Sequence, residues 1–225
     1  MTSTFPDISL STERLVLRPY DEDDIPALVE MMNDDLVAAW TSVPQPYTAQ
    51  AAREFVTVTA PRERTAGRGL VLAVTEFLTQ RLVGTVQLQH TDWRIRGTEV
   101  GYLTAAWARG EGYASEAVLA LVQWLFGEQG FERVELRTAA DNTASQQVAQ
   151  KIGCVSEGVL RNAGIVRGRP DDEPEGRWAE TRTDLLVWSL LPEDLDDPTG
   201  RAASEDDYDT GYADYTAYSA YAQRR

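Results

Sequence analysis

The chain has 225 residues, one cysteine and a formal net charge of −15, from 21 basic and 36 acidic residues. Its length suits one sizeable α/β domain, and the single Cys154 excludes both an internal disulfide and a multi-cysteine zinc site. The negative charge argues against nonspecific binding to nucleic acid. With no secretory leader pattern and no long apolar run, we expect a cytoplasmic protein that does not enter a membrane.

The first half of the chain predicts strands and helices in alternation. Four acidic residues at 21–24 lie where a helix N-terminus favours negative charge, and prolines at 44, 46 and 61 flank a second helix with loops. In order, we expect a strand at 15–18, a helix from Ile25, a helix at 49–58, a hairpin of strands at 70–77 and 81–90, and a strand at 97–103.

The second half predicts a strand at 134–138, a helix from Thr143 to Gly153 and a strand at 184–191. Thr143 and Gln146 have the spacing of a capping box at the start of that helix. Residues 162–180 are polar and rich in glycine and proline, so we expect a long loop that faces a substrate or a partner.

The segment 109–114, Arg-Gly-Glu-Gly-Tyr-Ala, lies between the strand at 97–103 and a strongly amphipathic helix. Glycines let the backbone approach an anion, and the free N–H groups at the start of a helix favour a phosphate. Two familiar phosphate loops do not match. The P-loop needs a lysine next to the glycine, but the only lysine is Lys151, and the dinucleotide motif needs a glycine where Ser115 stands.

At these residues the chain resembles the GCN5-related N-acetyltransferases (GNAT), whose acyl-CoA loop has the form Gln/Arg-x-x-Gly-x-Gly/Ala. Arg109, Gly112 and Ala114 match that form. The longer string 108–117 resembles the branch named for the ribosomal-protein acetyltransferases RimJ and RimL. Further matches follow in the expected order, at 12–19, 141–145, 151–153, 157–161 and 184–190.

The resemblance covers about residues 8–195, which we expect to form the acyltransferase domain, followed by a tail at 196–225. It implies an α/β (α+β) fold with a mixed, mostly antiparallel sheet of six to seven strands and a splayed cleft for acyl-CoA. Residues 199–225 hold five acids, three arginines and five tyrosines, and almost no aliphatic side chains beyond alanine. That composition is typical of an appended tail.

The resemblance also implies the residues that bind the cosubstrate, acetyl-CoA, with no metal. The backbone of 110–115 would hold the pyrophosphate, Arg109 and Ser115 would add side-chain contacts, and the N–H of Leu103 or a neighbour would bind the thioester oxygen. Asn142 would bind the pantetheine amides. The predicted cofactor site is therefore Leu103, Arg109, Gly110, Glu111, Gly112, Tyr113, Ala114, Ser115 and Asn142.

Two residues are candidates for acid–base chemistry. Glu99 shares its side of the strand with Gly101 and Leu103, so it could act through water as the base that deprotonates an ammonium group. Its alternative role is an ordinary ion pair with an arginine. In the resembled family a tyrosine often serves as the acid, but Ala149 occupies its position here. Ser145 matches the serine of RimL-type members and is the second candidate, unless it merely packs in its helix.

We therefore expect direct transfer of an acetyl group from acetyl-CoA to a primary amine, either a peptide N-terminus or a small molecule. A different acyl-CoA, such as succinyl-CoA, fits the same loop. A catalytically weak protein that binds acyl-CoA or a partner is the main alternative class. A homodimer is compatible with the sequence. We expect the lone His90 to end a strand and Cys154 to be a buried thiol, rather than a ligand or a nucleophile.

Overall fold

The computed structural model describes residues 3–168 and 178–196. Its strands are β1 (Leu10–Ser11), β2 (Leu15–Arg18), β3 (Leu70–Glu76), β4 (Leu82–Asp92), β5 (Gly97–Thr104), β6 (Arg133–Ala139), β7 (Val155–Gly168) and β8 (Ala179–Leu190). Its α-helices are α1 (Ile25–Met32), α2 (Asp35–Trp40), α3 (Ala49–Glu54), α4 (Ala60–Thr65), α5 (Tyr113–Gly127), α6 (Thr143–Lys151) and α7 (Pro192–Asp196). The predicted tail lies outside the described residues, apart from Asp196.

Within the described residues, the strands form one sheet in the order β1-β2-β3-β4-β5-β6-β8-β7. All neighbouring strands are antiparallel except β5 and β6, which confirms the mixed, mostly antiparallel sheet. The sheet has one strand more than the upper limit predicted. The additional strand is the two-residue β1 at the edge, which is too short to show an alternating pattern in the sequence.

β5 and β6 separate after a short paired stretch, which confirms the splayed cleft. Their parallel pairing runs only from Gly97 opposite Arg133 to Glu99 opposite Glu135, although β5 continues to Thr104 and β6 to Ala139. The helix α5 makes the crossover that two adjacent parallel strands require. The cleft therefore opens beside the start of α5.

The buried face of α5 anchors this crossover in the core. Val118, Leu121, Val122 and Leu125 are fully buried, as the sequence pattern predicts, and Trp124 joins them. Burying such side chains stabilises the helix by roughly 1.5–3 kcal/mol each. None of the helices in the described part of the chain is long and apolar enough to cross a membrane.

Two segments differ from the sequence-based expectation. The predicted second helix continues beyond Val58, because a π turn at Phe55–Thr59 connects α3 to α4. Pro61 lies in the first turn of α4, where its missing N–H costs little. The expected loop at 162–180 is strand at its described ends, 162–168 and 179–180, and its middle part at 169–177 lies outside the described residues. β7 and β8 pair from Gly164 opposite Thr183 to Gly168 opposite Ala179, since backbone pairing tolerates the polar side chains of an exposed ladder.

Candidate active site

A cavity of about 570 Å³ lies where β5 and β6 part. The second half of β5, the 109–115 segment, α6, α2 and parts of β6, β7 and β8 supply its walls. Among the described residues, the charged side chains that line it are Arg109, Arg137 and Lys151, and no carboxylate lines it. Arg109 and Arg137 are paired with carboxylates outside the lining, whereas Lys151 has no such partner among the described residues, and this lining favours a polyanionic ligand.

The segment 109–115 has the backbone geometry of an anion site. Gly110 and Gly112 have φ angles of +82° and +78°, in the left-handed region that favours glycine. Gly112 is the N-cap of α5, so the N–H groups of Tyr113, Ala114 and Ser115 have no acceptor within the helix. These N–H groups and the positive end of the helix dipole are available to a phosphate.

Two cations border this segment that the sequence analysis did not assign to it. A Cβ atom on Gly112 would lie 3.0 Å from Nζ of Lys151 and 3.8 Å from Nη2 of Arg14. Arg14 also donates to the carbonyl oxygen of Glu111, at 3.1 Å. Within the described residues, no carboxylate lies within ion-pair distance of Lys151. The only signal in the sequence was that Lys151 is the sole lysine of the chain.

The Arg109 side chain is held by a protein carboxylate. Its guanidinium pairs with Asp34, the N-cap residue of α2, and thereby ties α2 to the 109–115 segment. Burial alone would raise the pKa of Asp34, but hydrogen bonds from Arg109 and from the N–H of Val37 outweigh it and lower that pKa. The predicted side-chain contact to pyrophosphate would therefore compete with this ion pair.

Other side chains of the segment also have partners within the protein. The buried Ser115 hydroxyl donates to the carbonyl oxygen of Gly112 at 2.9 Å, so the predicted contact with a phosphate would have to replace this hydrogen bond. The Tyr113 hydroxyl donates to Glu76 at 3.0 Å, and the Glu111 side chain is exposed. The segment thus offers an anion its backbone rather than these side chains.

The peptide groups of β5 alternate between its two neighbours. The carbonyl oxygen of Arg96 accepts the N–H of Glu132 at 2.9 Å, on the β6 side. The N–H of Ala105 donates to Val83 at 2.8 Å, on the β4 side. Successive residues of a strand direct their peptide groups to opposite sides. The N–H and C=O groups of even-numbered residues of β5 therefore point towards β6, and those of odd-numbered residues point towards β4.

This alternation bears on the expected thioester contact, which named the N–H of Leu103 or of a neighbour. Leu103 lines the cavity, but its N–H is directed towards β4, where it lies opposite Thr85. Tyr102 and Thr104 direct their N–H groups into the gap left by β6, where the strand pairing has ended. The neighbours of Leu103, rather than Leu103 itself, offer donors to a ligand in the gap.

Asn142 and Ser145 both line the cavity at the start of α6. Asn142 is the N-cap residue, and its side-chain oxygen accepts the N–H of Ser145 at 3.1 Å, so the predicted cap at Thr143 is wrong by one residue. The Ser145 Oγ lies 2.8 Å from the hydroxyl of Tyr102 on β5. The sequence analysis missed Tyr102, because residues so far apart in the chain give no joint spacing signal.

Glu99 lies at the last paired row of β5 and β6, outside the cavity lining. Its carboxylate accepts a hydrogen bond from Gln89 at 2.7 Å, lies 3.1 Å from Nδ1 of His90 and lies 3.5 Å from Nε of Arg137. At about 3.3 Å per residue, Glu99 is about 13 Å along the strand from Leu103. Direct contact with an amine at the thioester is therefore excluded, and only a route through water remains.

His90 ends the regular part of β4, as predicted, yet it also contacts the candidate base. Its φ angle is +52°, and the β4–β5 register shifts between Gln89 and Asp92. This irregularity brings the imidazole, which is 72% exposed, beside the Glu99 side chain, which is 12% exposed. Cys154 is partly buried against the core, and this burial raises the pKa of its thiol to about 12 and keeps it protonated.

An apolar part of the cavity lining comes from distant parts of the chain. Leu36 and Trp40 of α2 and Ile165 and Val166 of β7 form it, together with Leu185 of β8. Leu36 is 52% exposed and Ile165 is 47% exposed. The strand ladder at 164–168, where the sequence predicted a loop, therefore contributes to the cavity.

Comparison with known proteins identifies the family. Residues 14–155 match the family profile described as Acetyltransferase (GNAT) domain. The chain belongs to the GNAT acetyltransferase family. The uncharacterized N-acetyltransferase YoaA of Bacillus subtilis (strain 168) is 27% identical to this acetyltransferase over 163 residues, which are 72% of this chain and 92% of YoaA.

Solved structures of related enzymes have the same fold as this acetyltransferase. Mycobacterium smegmatis RimJ, in complex with CoA-disulfide, matches with a TM-score of 0.69 and 20% identity, over 84% of this chain and 90% of that chain. The ribosomal-protein-S5-alanine acetyltransferase from Vibrio fischeri matches with a TM-score of 0.68 and 19% identity, over 84% of this chain and 99% of that chain. The predicted enzyme class is confirmed by the family match, and RimJ shares the fold.

Proposed function

We propose that this acetyltransferase binds acetyl-CoA in the cavity between β5 and β6 and transfers the acetyl group to a primary amine. The observation that carries the proposal is the cavity at the open N-terminus of α5, whose lining, among the described residues, has cationic side chains and no carboxylate. The backbone of 110–115 and Lys151 would hold the pyrophosphate, with Arg14 nearby. Charge-assisted hydrogen bonds of this kind are about twice as strong as neutral ones.

The pantetheine arm would occupy the gap where the β5–β6 pairing ends. Tyr102 and Thr104 direct N–H groups into this gap, so one of them would donate to the thioester oxygen. Asn142, at the N-cap of α6, lines the same cavity and would offer its side-chain N–H group to a pantetheine carbonyl. The backbone N–H that donates to the thioester oxygen would stabilise the negative charge that develops on this oxygen during attack by the amine.

The two acid–base steps would use different sides of β5. Glu99, connected through water, would accept the proton of the ammonium group before attack, with His90 and Gln89 orienting its carboxylate. Ser145, which lines the cavity, would give a proton to the departing sulfur. No acyl-enzyme is required, because the amine attacks the thioester directly once both partners are held in the cavity.

A peptide N-terminus is the acceptor class that the cavity supports best. Leu36, Trp40 and Ile165 form an apolar wall that suits a neutral side chain, and the absence of lining carboxylates, among the described residues, disfavours a polyamine. The ribosomal-protein acetyltransferase among the similar structures agrees with this class. Cytoplasmic location and a homodimer stay predictions.

The decisive experiment combines ligand binding with turnover. A ligand that binds only the folded state adds about 2.7 kcal/mol of stability at a hundredfold excess over its Kd, so acetyl-CoA should raise the melting temperature and ATP or NAD should not. Release of free CoA should then be measured with peptides that differ only in a free or blocked N-terminus, and with spermidine. We expect turnover with the free N-terminus alone.

The other outcomes separate the alternatives. Turnover with succinyl-CoA in preference to acetyl-CoA would mean that the acyl donor is succinyl-CoA, while the proposed site would be unchanged. Tight binding of acetyl-CoA without turnover on any amine would favour an acyl-CoA-binding protein. Stabilisation by ATP and not by acetyl-CoA would contradict the proposed cosubstrate.

A further inference from the structure

We propose that Tyr102 is a positioning residue for the proton donor, which orients Ser145 and supplies it with a replacement proton. The inference builds on the proposed function. It is carried by the 2.8 Å contact between the Tyr102 hydroxyl and the Ser145 Oγ, at a point where both residues line the cavity. The two residues come from different elements, β5 and α6, which the fold brings together beside the gap.

A lone serine is a poor proton donor, because an aliphatic hydroxyl is a weaker acid than a phenol. If Ser145 gave up its proton alone, an alkoxide would remain in a partly buried site, which costs several kcal/mol. A phenol within hydrogen-bond distance can replace the lost proton, so no alkoxide remains on Ser145. Tyr102 thus makes up for the missing tyrosine at position 149, where Ala149 is fully buried and has no hydroxyl.

The remaining contacts keep the Tyr102 hydroxyl in place and protonated. It also lies 3.1 Å from the carbonyl oxygen of Ser145, so both atoms it contacts belong to one residue. Burial raises the pKa of Tyr102 to about 12, an effect that the hydrogen bond with Ser145 partly opposes. At neutral pH the phenol therefore has a proton to give.

The proton transfer balances as follows. When the carbon–sulfur bond breaks, its electron pair stays on sulfur, which takes the hydroxyl proton of Ser145. Ser145 takes the phenolic proton of Tyr102 through their hydrogen bond. The nitrogen of the substrate loses two protons, one before attack and one as the amide forms. The phenolate of Tyr102 recovers one proton from solvent, which offsets one of these two, and the other proton stays in solvent.

The charged and titratable groups around this pair are few. The Cys154 thiol interacts electrostatically with Tyr102, and burial raises its own pKa to about 12. Arg109, Arg137 and Lys151 line the same cavity. Burial keeps the Cys154 thiol protonated between about pH 7 and pH 9, so this thiol does not change charge in the range of the test.

The first test is a double-mutant cycle with Tyr102→Phe and Ser145→Ala. Tyr102→Phe should lower kcat by on the order of 10- to 100-fold and leave the Kd for acetyl-CoA and the KM for the amine near wild type. In the Ser145→Ala background, Tyr102→Phe should have no further effect, because its role passes through Ser145. Tyr47→Phe, a half-buried tyrosine outside the cavity lining, is the matched control.

The second test changes the acidity of the phenol and keeps its shape. A fluorinated tyrosine at position 102 has a lower pKa, so activity should be kept near pH 7 and should fall at a lower alkaline pH than in wild type. Three results would each overturn the inference. They are a wild-type kcat in Tyr102→Phe, additive losses of kcat in the double-mutant cycle, and a pH–activity profile whose alkaline decline does not shift with the fluorinated tyrosine. Wild-type protein that binds acetyl-CoA but acetylates no amine would contradict the proposed function instead.

Discussion

The phosphate side and the acceptor side of the cavity are built in different ways. The phosphate side comes mainly from one short segment, 109–115, whose two left-handed glycines and helix N-terminus are local features. The acceptor side combines α2, β7 and β8, so Leu36 and Ile165 lie 129 positions apart in the chain but line the same cavity. One side is fixed by local backbone geometry and the other by long-range packing.

This difference explains why the two sides should respond differently to substitution. A change in the 109–115 segment acts on a rigid backbone feature that every acyl-CoA would use. A change in the acceptor wall alters apolar surface that only certain amines would contact. Four substitutions and one truncation test this contrast.

The largest effect is expected at Ser145, which lies between the two sides. Ser145→Ala removes the proposed proton donor and should lower kcat by about 10² to 10⁴, with the affinity for acetyl-CoA near wild type. Steady-state kinetics and calorimetry check this split. Ser156→Ala, on the exposed part of β7, is the matched control. Normal turnover together with a lower melting temperature would make Ser145 a packing residue only.

Gly112→Asp should weaken acetyl-CoA binding by roughly tenfold to a hundredfold, because a side chain at φ +78° costs about 1–3 kcal/mol of strain. The new carboxylate would also lie beside Lys151 and repel the pyrophosphate. Calorimetric titration measures the change, with Gly127→Asp at the end of α5 as control, where nothing lies within 4 Å. An unchanged Kd for acetyl-CoA in the folded variant would show that the 109–115 segment does not bind this ligand.

Lys151→Met tests the phosphate side without disturbing its backbone. Because the ammonium is exposed, its loss should cost at most about 1 kcal/mol, or about fivefold in the Kd for acetyl-CoA, and less at high salt. Acetyl-pantetheine, which has no pyrophosphate, should bind the variant and the wild type equally. An equal loss for both ligands would mean that Lys151 acts on the cavity shape rather than on the phosphates.

Ile165→Ser tests the acceptor side. The side chain is about half exposed, so its replacement should remove roughly 0.7 kcal/mol of apolar contact and raise the amine KM about threefold. The Kd for acetyl-CoA should not change, and Ile95→Ser, another exposed isoleucine away from the cavity, should change neither value. A weaker affinity for acetyl-CoA with an unchanged amine KM would reverse the assignment of the two sides.

The smallest effect on the domain is expected from truncation after Pro198. The tail has few aliphatic residues to add to a core, so the melting temperature and its rise with acetyl-CoA should stay as in the full chain. Light scattering of both proteins tests whether the tyrosines of the tail support self-association. A large fall in melting temperature at constant oligomeric state would show that the tail belongs to the domain.

Local features of the sequence predicted the turn at 109–115 and the helix that follows it. Glycine spacing, the apolar face of α5 and the alternation of β5 each depend on neighbours within a few residues, so Gly112 and Val118 could be interpreted without tertiary knowledge. Side-chain partners were less predictable. Arg109 pairs with Asp34, and Ser115 donates to the carbonyl oxygen of Gly112, because a side chain binds the nearest suitable group in space.

By itself, the sequence determined the family, through the motif at 109–114 and further motifs that resemble it, and it determined the order of the strands along the chain through periodicity. The glycine spacing predicted where a phosphate segment would lie. The tertiary structure decided which N–H groups of β5 face the gap, that Lys151 borders Gly112, and that Tyr102 meets Ser145. Those facts depend on register, on strand separation and on packing between distant segments, and no local pattern of residues encodes them.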